Sequence, residues 1–288
     1  MRSCLLIDDV PSALEGMTPA GRCAVTKSTY EARAEVLAFC ERRRWPVVSY
    51  RKYVEWAQTR LELCSQADYT MMLDPLFPGD RSRWLSLRLH RSWTVRSNHF
   101  RARFVGWPPK CSVRGRPIVL VDDAAYSGTT LETAVRALIR RGASIRAIHV
   151  GVARPQAIAR LRGLPVEAFF LVPPEYDILH GRDFLAWLPF SGRRIAGRRP
   201  VTAKSRRLFV RLAPAHFGDG RWLKLEDAPE LRASLGRYAT DVVQHLQHLL
   251  LRTPTVADLV VLGDGVGVSV KTPECRPQAS TRLDKLLK

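Results

Sequence analysis

The clearest pattern along the chain is Pro117-Ile-Val-Leu-Val121, an unbroken apolar run rich in β-branched residues. The polar stretch Asp122 to Thr130 follows, and then apolar residues at Leu131, Ala134, Val135, Leu138 and Ile139. The run predicts a buried strand. The i, i+3, i+4, i+7, i+8 spacing predicts a helix with one buried face, closed by Gly142. Ser144 to Val152 predicts the next strand, so the segment is a β-α-β crossover, which implies a parallel sheet. Tyr69 to Leu73 and Val166 to Val172 add two short strands.

Helical periodicity recurs at Thr29 to Arg43, with Ala34, Val36, Leu37, Phe39 and Cys40 between charged residues, and at Val54 to Leu63. Pro46-Val-Val starts an extended piece. Glu230 to Leu251 predicts a long amphipathic helix with Leu231, Leu235, Tyr238, Val242, Leu246 and Leu249 on one stripe. Leu208 to Leu212 and Trp222 to Leu225 are strand candidates, and Gly263 to Gly267 reads as a hairpin. The Ser-, Gly- and Arg-rich stretch from Pro189 to Pro200 reads as a linker or basic loop, and the tail after Arg276 as frayed.

Composition changes this picture little. At 288 residues, 46% hydrophobic and 25% charged, the chain is long enough for one large domain or two modest ones, and its composition is globular rather than disordered or collagenous. The apolar run Cys4 to Ile7 is too short for a signal-peptide core, and no stretch reaches membrane-span length, so a cytoplasmic protein is expected. The six cysteines are scattered without C-x-x-C or zinc-finger spacing and are read as reduced thiols.

Charge does change it. The net charge is +19, and 18 of the 46 Lys and Arg lie in two windows without a single acid, residues 81–116 and 184–218. The remaining chain is close to neutral, so the charge points to a local face that handles polyanions. In the first window Trp84, Trp93, Phe100, Phe104 and Trp107 are interleaved with Arg, a combination that also suits nucleic acid. The spacing of Leu85, Leu87 and Leu89 argues that part of this window packs on the core.

The stretch after the central strand carries the chemistry. Two carboxylates, Asp122 and Asp123, stand at the strand's C-terminal end, and Ser127-Gly128-Thr129-Thr130 open the helix. A helix N-terminus offers backbone N–H groups and the positive end of the dipole. Gly128 allows close approach and three hydroxyls add donors, so a phosphate monoester fits there. The acids, one turn of chain away, can accept hydrogen bonds from a ribose diol or hold Mg²⁺. The implied ligand is a 5-phosphorylated ribose. Leu5-Leu-Ile-Asp8-Asp9 has the acids without the Ser-Gly-Thr-Thr, and is read as a surface turn.

Residues 118 to 131, IVLVDDAAYSGTTL, resemble the phosphoribosyl pyrophosphate (PRPP) motif of the type I phosphoribosyltransferases. The resemblance implies an α/β fold: a five-stranded parallel sheet flanked by helices, here with a small α+β C-terminal appendage. It also implies Mg²⁺ as cofactor and transfer of phosphoribosyl from PRPP to a small nitrogenous acceptor with release of pyrophosphate. Asp122, Asp123 and Tyr126 would form the catalytic group, and Ser127, Gly128, Thr129 and Thr130 would bind the 5-phosphate. Pro173 to Phe184, followed by Leu188-Pro189-Phe190, resembles the hood of hypoxanthine-type enzymes, with Tyr176 against the acceptor ring and Asp183 joining Asp122 and Asp123 at the metal. Arg81, Arg83 and Lys110 would face pyrophosphate, as in the family's basic flap.

Two positions depart from the purine enzymes. Tyr126 stands where they carry a general-base carboxylate, and Ala153, with Arg154 beside it, where they carry a Lys that reads the 6-oxo group. The departures turn the reading away from hypoxanthine and guanine and toward a pyrimidine, another heterocycle or an amine, with Arg154 on the acceptor side. The expected organisation is an N-terminal helical region at 1–66, a phosphoribosyltransferase core at 67–190, a basic linker at 191–207 and an appendage at 208–288. A homodimer is open to such a chain. The competing reading is a non-catalytic regulator or effector on the same fold that senses PRPP or a nucleotide and binds nucleic acid through its basic face. His245 and His248 lie three apart without a third ligand nearby, which argues against a metal there.

Overall fold

In a computed structural model of the chain, the described residues are 3–15, 19–64, 69–74, 76–78, 86–91, 100–106, 113–184 and 229–252. They divide into two compact units, residues 49–178 and residues 1–48 with 179–288. The boundaries expected at 66/67 and 190/191, the linker at 191–207, the strands at 208–212 and 222–225, and the hairpin at 263–267 lie outside the described residues.

In the unit formed by residues 1–48 and 179–288, strand β1 (Cys4–Asp8) is followed by helices α1 (Val10–Glu15) and α2 (Pro19–Arg42). β1 lies between β2 (Val47–Ser49) and the later strand Asp177–His180, both of which run across the unit boundaries. The helix predicted from residue 230 spans Pro229–Leu250 and packs along α2. Leu231, Leu235, Tyr238, Val242 and Leu246 are buried as its periodicity requires, and the Tyr238 hydroxyl lies 3.5 Å from that of Thr29. Leu249 is exposed, because the last helical turn runs past the surface it packs on.

The surface turn expected at Asp8 and Asp9 is not what forms. Asp9 is fully buried: it accepts a hydrogen bond from the backbone N–H of Arg182 at 2.9 Å, forms an ion pair with Nε of the same residue at 2.9 Å, and lies 3.0 Å from Nδ1 of His180. A carboxylate survives burial only when paired and hydrogen-bonded, and its partners lie more than 170 residues along the chain. Burial pushes its pKa up, but the Arg182 charge and the His180 hydrogen bond outweigh this and hold it below the usual value. Asp8 pairs with Arg33 on α2.

In the unit of residues 49–178, helix α3 (Tyr50–Glu62) begins at an N-cap on Ser49. Four parallel strands follow in the order β3 (Tyr69–Met72), β6 (Pro117–Ala125), β7 (Ser144–Ala153), β8 (Val166–Leu171). Four strands, not five, make up this sheet among the described residues. Between β3 and β6 the chain forms an antiparallel ribbon of β4 (Ser86–Arg91) and β5 (Phe100–Gly106), a pairing that the mixed Arg and Trp pattern of this window did not announce. Helices α4 (Thr129–Arg140) and α5 (Pro155–Arg160) follow β6 and β7.

Successive strand residues point to opposite faces, and here each face has its helix. Ile118, Leu120, Ile148 and Val150 pack with Leu131, Ala134, Val135 and Leu138 of α4. From the other face of β7, His149 meets Trp56 of α3 edge-on, and Gly151 lies under the Tyr53 ring. The result is an α/β sheet flanked by helices, as expected. Ile139, placed on the buried stripe by its spacing, is about half exposed at 51%, because the helix ends one residue later. Gly142 closes the helix at φ +82°. After β8 come β9 (Asp177–His180), α6 (Gly181–Phe184) and, beyond the undescribed stretch, the long helix, here α7 (Pro229–Leu250).

Candidate functional site

β6 continues four residues past the run that announced it, to Ala125, so Asp122 and Asp123 belong to the strand end rather than to the following loop. Their positions therefore alternate between the two faces. Asp122 is buried, and its Oδ1 accepts from the backbone N–H of Asp123 at 3.1 Å. Asp123 is half-buried. The Tyr53 hydroxyl of α3 donates to the Asp122 carbonyl at 2.9 Å and ties the strand end to the helix beneath it. Tyr50 donates to Asp74, whose carboxylate also accepts from the Leu76 N–H at 2.9 Å beyond the end of β3. Burial first, and then the charge of Asp74, pushes both tyrosine pKa values well above normal, so both remain donors. Sequence reading missed these two tyrosines. Their signal, an aromatic pair three apart on one helix face, is shared by any helix packed on a core.

The chain then turns at Gly128, which caps α4 with φ +72° and ψ 0°. The Ser127 and Thr129 hydroxyls lie 3.0 Å apart, and the Thr133 hydroxyl donates to the Thr129 carbonyl at 2.7 Å. Ser127 is exposed, Thr129 and Thr130 are half-buried, and the Ser127 Oγ accepts from the Thr129 N–H at 3.4 Å. The first N–H groups of a twelve-residue helix thus stand beside two hydroxyls, an arrangement whose chemistry suits an anion.

Beside this turn, Tyr126, Arg154 and Asp177 close on one another. The Tyr126 hydroxyl donates to Oδ1 of Asp177 at 2.6 Å, and Nη2 of Arg154 reaches the same oxygen at 3.0 Å. Nε of Arg154 donates to the Tyr176 carbonyl at 2.8 Å, and its guanidinium carbon sits 3.6 Å from the centre of the Tyr126 ring. Asp177 and Arg154 are buried, Tyr126 and Tyr176 half-buried. Burial and the hydrogen bond to Asp177 push the Tyr126 phenol above its ordinary pKa, so it acts as a proton donor and not as a base at neutral pH. Arg154, expected on the acceptor side, spends its guanidinium on this network. Asp177 was not singled out from sequence, because its partners lie 23 and 51 residues away.

Asp183 falls on α6 in the other unit, and its side chain lies outside the description, as do Arg81, Arg83 and Lys110. No group of three or more His, Cys, Asp or Glu among the described residues is set to hold a metal. Mg²⁺ keeps several waters and binds through one or two carboxylates together with substrate phosphates. The two strand-end acids therefore fit a metal that arrives with its phosphorylated substrate. His245 Nδ1 lies 2.7 Å from the Asp241 carbonyl of its own helix. Cys4, Cys40 and Cys64 carry thiols outside any disulfide, and burial pushes the Cys40 thiol up to about 12. No helix among the described residues is long and apolar enough to cross a membrane.

Residues 93–177 match the family model of the phosphoribosyl transferase domain, a span that contains residues 118–131, and the resemblance read from those residues is borne out to that extent. No curated protein matches the chain. Solved structures similar to it include a hypothetical protein from Neisseria gonorrhoeae with bound ppGpp, at 15% identity over 45% of this chain and 81% of that one, with a TM-score of 0.34. A purine phosphoribosyltransferase from Pyrococcus horikoshii Ot3 matches at 13% identity over 46% and 87%, TM-score 0.30. An orotate phosphoribosyltransferase from Mycobacterium tuberculosis H37Rv, in complex with inorganic phosphate, matches at 15% over 42% and 68%, TM-score 0.28.

Proposed function

We propose that this domain binds PRPP and transfers its 5-phosphoribosyl group to a nitrogenous acceptor, releasing pyrophosphate. The observation that carries the reading is the strand end with Asp122 and Asp123, followed five residues later by a left-handed glycine and a helix start bearing hydroxyls. Ser127, Gly128, Thr129 and Thr130 hold the 5-phosphate through hydroxyls and backbone N–H groups. Asp122 and Asp123 accept hydrogen bonds from the ribose hydroxyls and fix C1 toward the acceptor. Mg²⁺, when bound, supplies positive charge to the pyrophosphate oxygens.

As the bond from C1 to the pyrophosphate oxygen breaks, the bond from C1 to the acceptor nitrogen forms. Any proton on that nitrogen leaves to the departing pyrophosphate or to water, because Tyr126 is itself a donor. Arg81, Arg83, Lys110 and Asp183 are assigned to pyrophosphate and metal by family resemblance. The test is Asp123→Asn. It retains the wild-type melting temperature and loses PRPP-dependent pyrophosphate release across a panel of purine, pyrimidine and amine acceptors. Undiminished release overturns the assignment.

A second reading, a regulator that binds PRPP without turnover and contacts nucleic acid, is favoured by two observations. Tyr126 donates to Asp177 and supplies no base, and two acid-free windows of the sequence, 81–116 and 184–218, carry 18 Lys and Arg. PRPP binding without release over the whole panel, together with salt-dependent retention on heparin, selects this reading.

A further inference from the structure

At the other end of β6 from Asp122 and Asp123, two turns are laced together. The Gly115 N–H donates to the Gly142 carbonyl at 2.8 Å, and the Ser144 N–H to the Arg116 carbonyl at 3.1 Å. The turn before β6 is thereby joined to the turn between α4 and β7. Residues 113–116 and 140–146 bring together five exposed arginines, Arg114, Arg116, Arg140, Arg141 and Arg146, and no acid. A Cβ on Gly142 would meet Cγ of Arg114 at 3.1 Å, so the Arg114 side chain passes over the second turn. A Cβ on Gly115 would meet nothing within 4 Å, so the surface there is open. Arg146 is the extra residue of a bulge: Ile118 pairs with Ile145 and Val119 with Ala147, which takes Arg146 out of the strand's alternation. The Arg116 guanidinium lies 5.2 Å from the centre of the Tyr69 ring on β3. On the flank of α4, Arg136 and Arg160 share Glu132. Among the described residues no carboxylate plays that part for Arg114, Arg116, Arg140 or Arg146.

The row runs from Arg116 over β3 to Arg146 on β7, two strand spacings or about 10 Å. A nucleic-acid strand carries a phosphate charge about every 3.4 Å along a duplex, so the row spans several phosphates, whereas a phosphate monoester would meet one or two guanidinium groups. Arginine also forks onto phosphate oxygens. Seating on a membrane surface needs an apolar face, and residues 113–116 and 139–146 expose one large apolar side chain, Ile139. We propose that this arginine face binds the phosphodiester backbone of nucleic acid without reading its bases. Arg116 and Asp122 are separated by about 20 Å of strand, so the face stands whether or not the acid-bearing end turns over PRPP. Arg140, Arg141 and Arg146 lie outside the two acid-free windows of the sequence.

Fluorescence anisotropy on the full chain, over a series of salt concentrations, tests this with a short labelled DNA duplex and a short labelled RNA strand. Arg114→Gln with Arg146→Gln removes two cations from the face. Arg42→Gln with Arg44→Gln, at exposed positions around the end of α2, removes two elsewhere and is the control. The wild type binds at least one probe. The first pair makes the slope of log affinity against log salt shallower by about two, one for each lost phosphate contact, and the control pair leaves the slope unchanged. Ser144→Glu, which sets a carboxylate among the arginines and removes none, weakens binding of the same probe on its own. Equal flattening by the two pairs overturns the proposal, since net charge alone would then set the affinity, and so does undiminished binding by Ser144→Glu. A wild type that binds neither probe at about 0.1 M salt but binds phosphatidylserine vesicles overturns it in favour of a membrane surface.

Discussion

Gly128 has to be glycine for two independent reasons. Its φ of +72° is left-handed, which costs an L-residue about 1–2 kcal/mol. A Cβ built there would also stand 2.8 Å from the Ala157 carbonyl oxygen, a backbone atom on α5 that cannot swing aside. Gly128→Ala must therefore move the helix start as well as strain it. The expected loss is at least the ~1–2 kcal/mol of the backbone conformation, read from urea denaturation, together with weakened ribose 5-phosphate binding. An unchanged denaturation midpoint would show that the turn relaxes freely and that its geometry is not enforced. The same spot in the sequence is bordered by Tyr126, whose hydroxyl and ring are both occupied, so the residue that departs from the purine enzymes is tied into the scaffold and is not an idle substitute.

At the scale of elements, the end of β6 that carries the two acids lies close to β7 and α3. Gly151 makes that approach: a Cβ there would lie 2.5 Å from the Asp123 carbonyl oxygen and 3.0 Å from the Tyr53 ring. Gly151→Ala is expected to destabilise the domain by about 1–3 kcal/mol, as overpacking does. It should also cut PRPP binding, because relief of the clash displaces Asp123. A variant that unfolds earlier in urea but binds PRPP normally would mean that the strand end is not placed by this contact.

Most of these elements were legible as pattern. The strand at Pro117 and the helix after it obey their periods because each buries one face or both in a local, repetitive way. The motif at 118–131 was legible because its acids, glycine and hydroxyls stand in a fixed order within a few residues. What could not be read were pairings between distant residues. Asp9 with His180 and Arg182, Asp177 with Tyr126 and Arg154, and the ribbon of β4 and β5 all depend on partners that tertiary structure brings together. Asp9 shows the cost of reading locally: an acid pair after an apolar strand looks solvated until partners more than 170 residues along the chain meet it.

Over the whole molecule the response to acid follows from groups buried separately in the two units. In the unit of residues 49–178, His149 is 4% exposed, its ring nitrogens make no hydrogen bond among the described residues, and it stands edge-on to Trp56 with Glu167 4.0 Å away. Burial lowers its pKa from 6.5 more than Glu167 raises it, and the Arg60 charge lowers it further. Below pH 6.5 the unfolded chain therefore binds a proton that the folded chain resists, and stability falls as the pH drops. One such proton costs at most about 1.4 kcal/mol per pH unit, until the folded-state pKa is passed. Asp9, in the other unit, is likewise held below its ordinary 3.8 and keeps its contribution until the pH approaches that value. Acid should thus weaken the sheet domain first and the Asp9 lock later, on a chain whose net charge is already +19 and grows with each proton. Urea denaturation followed at a series of pH values should show stability declining below about pH 6.5. His149→Phe, which keeps an aromatic ring against Trp56, should flatten that limb and leave the loss near pH 3.8 in place. If the variant keeps the wild-type slope between the two limbs, the buried imidazole is not its source.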